Sequence, residues 1–141
     1  RIVWLFTLGE RLKVFVYGTL KKGFGNHGFL NNSEFISKVK TVSKSYDLVN
    51  LGNFPALIKG GSYDVYGELY SIDSTTLRNL DYLEGNTVLY TRDKISVCSY
   101  EDSRIVWSGV WAYMMDSPPN YSNTINSYND IKTWGLYAKW P

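Results

Sequence analysis

The chain has 141 residues, of which 44% are hydrophobic and 20% charged, with a formal net charge of +2 and one cysteine. This length predicts one domain that buries a sizeable core without a metal or a disulfide. The single cysteine, Cys98, excludes an intramolecular disulfide, and one cysteine with one histidine nearly excludes a zinc site. The balance of 15 basic against 13 acidic residues argues against a nucleic-acid-binding surface.

Aromatic residues make up 16% of the chain. Because aromatic side chains favour pleated, half-buried surfaces, this share predicts that β-strands dominate the fold. The expected domain covers residues 13–141, and residues 1–12 are expected to be an N-terminal extension or a tag remnant. The apolar run at residues 2–8 is far shorter than the ~20 residues of a membrane-spanning helix, and no small-residue cleavage site follows it. We therefore expect no membrane partner and a cytoplasmic location.

The predicted strands are spread along most of the chain. Lys13–Tyr17 is a short apolar run that predicts a buried strand, and Gly18 ends it. A loop rich in Gly and Lys follows over residues 19–28. Further strands are predicted where apolar residues alternate or cluster, at residues 35–49 (one or two strands), 54–58, 63–72, 91–100 and 104–115. Within the segment 63–72, Gly67 indicates a bulge or a close approach of another backbone.

One helix is predicted between these strands. Asp73 or Ser74 caps its first turn, the leucines at positions 77, 80 and 83 form one apolar stripe, and Gly85 ends it. The tail from residue 121 to residue 141 is predicted to be irregular and anchored by Trp134 and Trp140. Many strands with one good helix predict an α+β domain, with a small barrel and a flanking helix as one arrangement.

Two motifs at the Gly-rich loop are poor evidence for chemistry. Gly23, Gly25 and Gly28 fit G-x-G-x-x-G, but a dinucleotide site needs these glycines to open a helix directly after a strand, and no helix is predicted there. His27 is the only histidine, and in such a loop it is expected to be exposed or packed rather than catalytic. We therefore expect neither a nucleotide site nor a histidine-based nucleophile.

Glu84 stands out among the 13 acidic residues because of its position. It occupies the last turn of the predicted helix, where its charge faces the negative end of the helix dipole. That field raises the pKa of the carboxyl group, and burial would raise it further. A carboxylate placed in this way is a candidate general base. The alternative is a solvated side chain on a frayed helix end.

Three ordered motifs carry a family resemblance. The chain resembles the γ-glutamylcyclotransferase-like superfamily, and within it the γ-glutamylamine cyclotransferase and avirulence-induced-gene-like branch. The resemblance rests on a strand that enters a Tyr-Gly-Thr-Leu loop, on the end of the predicted helix with its glutamate, and on a following Tyr-x-Arg, with support from a Gly-Glu-Leu-Tyr strand before the helix. These motifs are the segments 13–23 with Asn26 and His27, 80–85, 89–92 and 67–70.

The resemblance implies a fold, a reaction and a set of site residues. The fold is a small mixed β-barrel with one main flanking helix. The enzyme cyclises a γ-glutamyl amine or amide to 5-oxoproline and releases the free amine, with Glu84 as general acid and base. Backbone N–H groups of Gly18, Thr19 and Leu20 hold the substrate. No metal or cofactor is required, because the attacking nitrogen belongs to the substrate, a small γ-glutamyl compound.

The resemblance also suggests roles for three neighbouring side chains. Tyr17 and Tyr90 either wall the site or hydrogen-bond the glutamyl group, and core packing is an equally good explanation for each. Arg92 is expected to stabilise local structure or to set the charge near the site rather than to take part in chemistry. The motifs specify neither the leaving amine nor the oligomeric state.

Two other functional classes remain open on the sequence. One is a non-catalytic module that binds a small amino-acid-like ligand on the same fold, because a fold does not fix a function. The other is a single-stranded nucleic-acid binder that uses exposed aromatics with Lys21 and Lys22. The balanced charge disfavours the second class.

Overall fold

The computed structural model describes residues 11–18, 20–23, 25–50, 55–85 and 90–115, together with the backbone of residues 132–134 and 137–139. The described strands are β1 Leu12–Val16, β2 Glu34–Thr41, β3 Tyr46–Asn50, β4 Pro55–Lys59, β5 Asp64–Ile72, β6 Thr91–Ser99, β7 Val106–Met114, β8 Lys132–Trp134 and β9 Tyr137–Lys139. The α-helix α1 spans Ser74–Gly85, and a 3₁₀ helix spans His27–Leu30. Among the described residues, no helix is long and apolar enough to cross a membrane.

Five strands close into a mixed barrel. Strand β1 pairs antiparallel with β5 and parallel with β7. The antiparallel pairs β5–β2, β2–β6 and β6–β7 complete the ring. Strand β4 joins the outside of this ring at one bridge, Leu57 with Met114, and β3 pairs with β4. The structure confirms the predicted α+β barrel with one main flanking helix.

Strand β1 is buried on both faces from Val14 to Val16, which explains why these three consecutive residues are apolar. Alternate residues of a strand point to opposite sides of the sheet. Phe15 and Tyr17 belong to the cluster inside the barrel. Val14 and Val16 belong to a second cluster that includes the helix residues Leu77 and Leu80. Strand β1 therefore connects the barrel interior to the helix layer, and its C-terminal end leads directly into the Gly18 loop.

Gly67 marks a close backbone approach, as one of its two predicted interpretations states. A Cβ at this position would meet the carbonyl oxygen of Val16 and would lie 2.6 Å from Cε1 of Phe15. The register irregularity of this region lies instead in β2, between Phe35 and Ser37. Glycine therefore lets β5 pass close against β1.

Helix α1 has the predicted boundaries. The Asp73 carboxylate accepts a 2.7 Å hydrogen bond from the backbone N–H of Thr76, which identifies Asp73 as the cap. Leu77 and Leu80 are buried, and Leu83 packs against the same cluster. This apolar stripe packs the helix against the barrel, and Glu84 directly follows its last residue, Leu83.

The prediction of an irregular tail is wrong at six of its residues. Strands β8 and β9 pair antiparallel, and β9 pairs in parallel with Asp64 and Val65 of β5. These two β5 residues precede the part of β5 that pairs with β1. The pairing joins segments that are distant along the chain, so the local tail sequence did not indicate it. Trp140 lies outside the described residues, as do residues 1–10, and the proposed division at residue 12 stays a prediction.

Candidate active site

The loop after β1 forms a tight turn at Gly18. The backbone N–H of Lys21 donates a 3.0 Å hydrogen bond to the carbonyl oxygen of Gly18, and Leu20 is buried within the turn. Nδ1 of His27 lies 3.0 Å from the carbonyl oxygen of Leu20, and its ring lies beside Tyr70. His27 is thus packed against the loop. Thr19 lies outside the described residues, so its predicted role stays a prediction.

Gly18 is required by the close approach of the loop to β4. A Cβ on Gly18 would lie 2.7 Å from Cγ and 2.8 Å from Cδ of Pro55. Carbon atoms do not come this close, so a larger residue would push the loop away from β4. The turn can therefore pack against Pro55 only because Gly18 has no side chain.

Tyr17, just before the turn, is held by two backbone groups. Its hydroxyl donates a 2.7 Å hydrogen bond to the carbonyl oxygen of Tyr113 and accepts a 3.1 Å hydrogen bond from the N–H of Leu57. Burial raises the pKa of Tyr17 well above its usual value. The side chain therefore stays neutral and links β1, β4 and β7 at this end of the barrel.

Tyr90, which directly precedes β6, is hydrogen-bonded to the first residue of β4. Its hydroxyl donates a 2.6 Å hydrogen bond to the carbonyl oxygen of Pro55. Burial, followed by the nearby charge of Glu84, raises the pKa of Tyr90. Pro55 thus contacts both Gly18 and Tyr90, and it brings two of the sequence motifs together. The sequence did not single out Pro55.

Glu84 lies in the last turn of α1 and is partly buried. Burial raises the pKa of its carboxyl group from 4.5 to about 7. Burial is the main cause of the raised pKa values of Tyr17, Tyr90 and Tyr113, and the charge of Glu84 is a smaller cause in each. Glu84 is therefore within electrostatic range of all three tyrosines. One of these tyrosines, Tyr17, directly precedes Gly18, so the charge of Glu84 acts on the residue that leads into the Gly18 turn.

Asp81 is a second acidic residue at this helix end that the sequence did not single out. Its carboxylate accepts 2.8 and 3.0 Å hydrogen bonds from Nε and Nη2 of Arg92, and a 2.6 Å hydrogen bond from the hydroxyl of Tyr113. Arg92 therefore has the structural role expected of it. The available signal was the position of Asp81, three residues before Glu84 in the same motif.

The other motifs show no catalytic arrangement in the described part of the chain. Gly25 precedes the 3₁₀ helix, Gly28 lies within it, and β2 follows, so these glycines do not open an α-helix after a strand. Cys98 is a buried free cysteine in β6, and burial raises the pKa of its thiol. A buried neutral thiol is a small apolar residue rather than a nucleophile.

The site combines a near-neutral carboxyl group with a backbone turn. A carboxyl group whose pKa is about 7 can both accept and donate a proton at neutral pH. A tight turn without an intervening Cβ can present several backbone N–H groups to one anion. The arrangement can therefore supply acid–base chemistry and backbone donors for an anionic group.

Comparisons with known proteins identify the family of this chain. The sequence pattern of the family described as "Gamma-glutamyl cyclotransferase, AIG2-like" matches residues 14–134. A Vibrio cholerae protein provisionally named a gamma-glutamylcyclotransferase is 44% identical over 82 residues, which cover 58% of this chain and 70% of that protein. A Methanocaldococcus jannaschii protein with the same provisional name is 43% identical over 86 residues, 60% of this chain and 70% of that protein.

A solved structure extends the similarity to the whole barrel. The crystal structure of an AIG2-like protein from Mus musculus superimposes with a TM-score of 0.70 at 31% sequence identity. The superposition covers 80% of this chain and 83% of the mouse chain. The family match covers β1 through β8, and the mouse protein shares the fold. The chain therefore belongs to the AIG2-like gamma-glutamyl cyclotransferase family.

Proposed function

We propose that this protein cyclises a γ-glutamyl amine or amide to 5-oxoproline and releases the free amine, with Glu84 as the general acid and base. The observation that carries the proposal is the carboxyl group of Glu84, whose pKa burial raises to about 7 and whose charge acts on Tyr17, the residue before Gly18. Membership of the family supports the reaction class. The substrate, the product and the residue roles are the proposed part.

The first step is proton removal. At neutral pH the α-amino group of a γ-glutamyl substrate is an ammonium ion and cannot attack. The ionised form of Glu84 accepts one proton from it, and the free amine then forms a bond to the γ-carbonyl carbon. The attacking and accepting groups belong to one molecule and close a five-membered ring, so the reaction gains from proximity.

The second step breaks the original amide bond. Glu84 returns its proton to the leaving nitrogen, and the carbon–nitrogen bond breaks as the carbonyl re-forms. The ring nitrogen loses its second proton, which ends on the released amine in water. Two protons thus pass from the α-nitrogen to the leaving amine, and the products are 5-oxoproline and a free ammonium. Glu84 is ionised again at the end of the cycle.

Backbone groups of the turn are proposed to bind the anionic parts of the substrate. N–H groups of Gly18, Thr19 and Leu20 would hold the α-carboxylate and the oxyanion that develops on the γ-carbonyl oxygen. Donors fixed by the fold stabilise such charge without reorganising during the reaction. The contact of Gly18 with Pro55 supports this role, because it keeps the turn in one place.

Tyr17 and Tyr90 are proposed to wall the site with their rings. Each hydroxyl proton is already donated to a backbone carbonyl, of Tyr113 and Pro55 respectively. Their pKa values are raised, so both stay neutral while Glu84 titrates. Apolar walls of this kind keep water away and maintain the raised pKa of the carboxyl group.

The test compares two carboxylates on one helix. Glu84→Gln keeps the size of the side chain but removes its acid–base function, and release of 5-oxoproline should fall by at least about 100-fold. Asp73→Asn, at the other end of α1, is the matched control and should keep activity within about twofold. The assay measures 5-oxoproline by chromatography over a panel of γ-glutamyl amino acids, γ-glutamyl amines and γ-glutamyl-lysine.

The outcomes separate the candidate functions. Equal turnover by the Glu84→Gln variant would refute the role of Glu84. Absence of release from every panel member, together with calorimetric binding of one of them, would identify a non-catalytic small-ligand module instead.

A further inference from the structure

The last turn of α1 is tied to the barrel by one carboxylate that lies three residues before Glu84. Asp81 accepts two parallel hydrogen bonds from Arg92 on β6 and a third, of 2.6 Å, from the hydroxyl of Tyr113 on β7. Two strands therefore hold the same carboxylate. Bidentate pairing between guanidinium and carboxylate fixes orientation as well as distance.

The guanidinium of Arg92 is itself held on its other side. Its central carbon lies 4.1 Å from the centre of the Trp111 ring. Stacking on an indole face is attractive and restricts the plane of the guanidinium. Arg92 is thus placed between Asp81 at its edge and Trp111 at its face. A guanidinium fixed in two directions is a rigid partner for the helix end.

The Arg92–Asp81 ion pair fixes the orientation of the helix end more than it stabilises the fold. The side chains of Arg92 and Asp81 are 28% and 36% exposed. Ion pairs with this exposure add little to stability, because water screens them and ordering two side chains has an entropic cost. Ends of helices also fray in the absence of such contacts. The network is therefore better suited to fixing a position than to holding the fold together.

Tyr113 continues the network to the loop. While its hydroxyl donates to Asp81, its backbone carbonyl accepts the hydroxyl proton of Tyr17 at 2.7 Å. Tyr17 directly precedes Gly18 and also accepts a hydrogen bond from β4. One residue thus connects the helix turn that carries Glu84 with the start of the backbone turn proposed to hold the substrate.

We propose that Asp81, Arg92 and Tyr113 form a clamp that fixes the last turn of α1 and thereby positions Glu84 against the Gly18 turn. This inference rests on the proposed function and assigns positioning roles rather than catalytic ones. Residues three apart lie on the same side of a helix, so an anchor at Asp81 constrains Glu84 directly. Small displacements of an acid–base group reduce the rate strongly.

Two variants loosen the clamp without changing the charge of the protein. Tyr113→Phe removes one neutral hydroxyl and keeps the carbonyl that binds Tyr17. Arg92→Lys keeps the positive charge and removes the bidentate geometry. Each variant should lower kcat about tenfold and change KM less than twofold, because substrate binding by the turn is kept while proton transfer is displaced.

A second measurement does not depend on turnover. The carboxyl carbon of Glu84 is titrated by ¹³C NMR in the wild type and in both variants. The charged or titratable groups of the neighbouring elements are Tyr17 directly after β1, Tyr90 directly before β6, Arg92 on β6, Tyr113 on β7 and Asp81 on the same helix. A loosened turn admits water to Glu84, so its pKa should fall from about 7 toward 4.5. Tyr113→Phe alters no charge near neutral pH, so a shift there reports a change of position.

The matched control lies one residue away on β6. Asp93→Asn breaks a 2.6 Å ion pair between Asp93 and Lys59. The side chains of both residues are more than half exposed. This variant should keep the wild-type kcat and the wild-type titration of Glu84.

Wild-type kcat and an unchanged Glu84 titration in folded Tyr113→Phe and Arg92→Lys variants would overturn the clamp. If one variant fails to fold by circular dichroism, the other decides the question. A wild-type protein that releases no 5-oxoproline would overturn the proposed function instead, and the NMR titration would then decide the clamp alone.

Discussion

The two ends of α1 carry carboxylates that the fold treats in opposite ways. At the first turn, Asp73 accepts a 2.7 Å hydrogen bond from the N–H of Thr76, and that bond lowers its pKa. At the last turn, burial raises the pKa of Glu84 to about 7. One helix thus favours the charged form of one carboxyl group and opposes the charged form of the other.

The difference separates a stabilising residue from the residue proposed to be catalytic. A carboxyl group whose pKa falls on folding stabilises the folded state when it is ionised. A carboxyl group whose pKa rises on folding reduces stability once the pH is high enough to ionise it in the unfolded chain. Asp73 therefore serves the helix. Glu84 has a stability cost, which is typical of residues that a protein keeps for chemistry.

The largest expected effect concerns the pH dependence of activity. Glu84 must be ionised to accept the ammonium proton, so kcat/KM should fall as the pH drops below about 7. Because a group with a pKa of about 7 is half ionised at pH 7, its ionised fraction and the rate should fall about 50-fold between pH 7 and pH 5. Rate measurements with a γ-glutamyl amine over this range test the expectation. An acidic limb near pH 4.5 would show that Glu84 is not buried in the working enzyme, and Asp73→Asn should leave the limb in place.

The next effect concerns stability and Glu84. Glu84→Gln removes the buried charge, so at pH 8 it should raise the free energy of unfolding by about 1–3 kcal/mol. The sign follows from the raised pKa. Between pH 4.5 and about pH 7, Glu84 is ionised in the unfolded chain but still protonated in the folded protein, so the wild type loses stability as the pH rises through this range. At pH 4 both states of the wild type are protonated and the gain should vanish. Urea unfolding at the two pH values measures it, and equal stability of variant and wild type at pH 8 would contradict it.

The smallest effect concerns the other end of the helix. Asp73→Ala removes the cap and should lower the free energy of unfolding at pH 7 by about 1 kcal/mol. Because the pKa of Asp73 is lowered on folding, its contribution is present above the usual value of 3.8 and is lost as the pH falls through the lower folded value. Urea unfolding at pH 7 and pH 2.5 compares the two conditions. A loss that persists unchanged at the lower pH would show that the cap does not act through its carboxylate.

Local sequence alone predicted the helix and its two carboxylates. The cap at Asp73, the stripe containing Leu77 and Leu80, and the end at Gly85 all depend on residues within a few positions of one another. The strand that ends at Gly18 is readable for the same reason, since an apolar run followed by glycine is a local pattern. Local interactions therefore predicted that Glu84 lies at the end of a helix and that Gly18 lies at the end of a strand.

The tertiary structure decided what surrounds them. Burial, which raises the pKa of Glu84, is a property of the packed helix and not of its sequence. Asp81 meets Arg92 and Tyr113 across 11 and 32 residues of chain, and Tyr17 meets Tyr113 across 96. The pairing of β9 with β5 likewise joins distant segments. The sequence by itself determined which residues could do chemistry, and closure of the barrel determined which of them meet, because contacts between distant segments depend on the complete fold rather than on local preference.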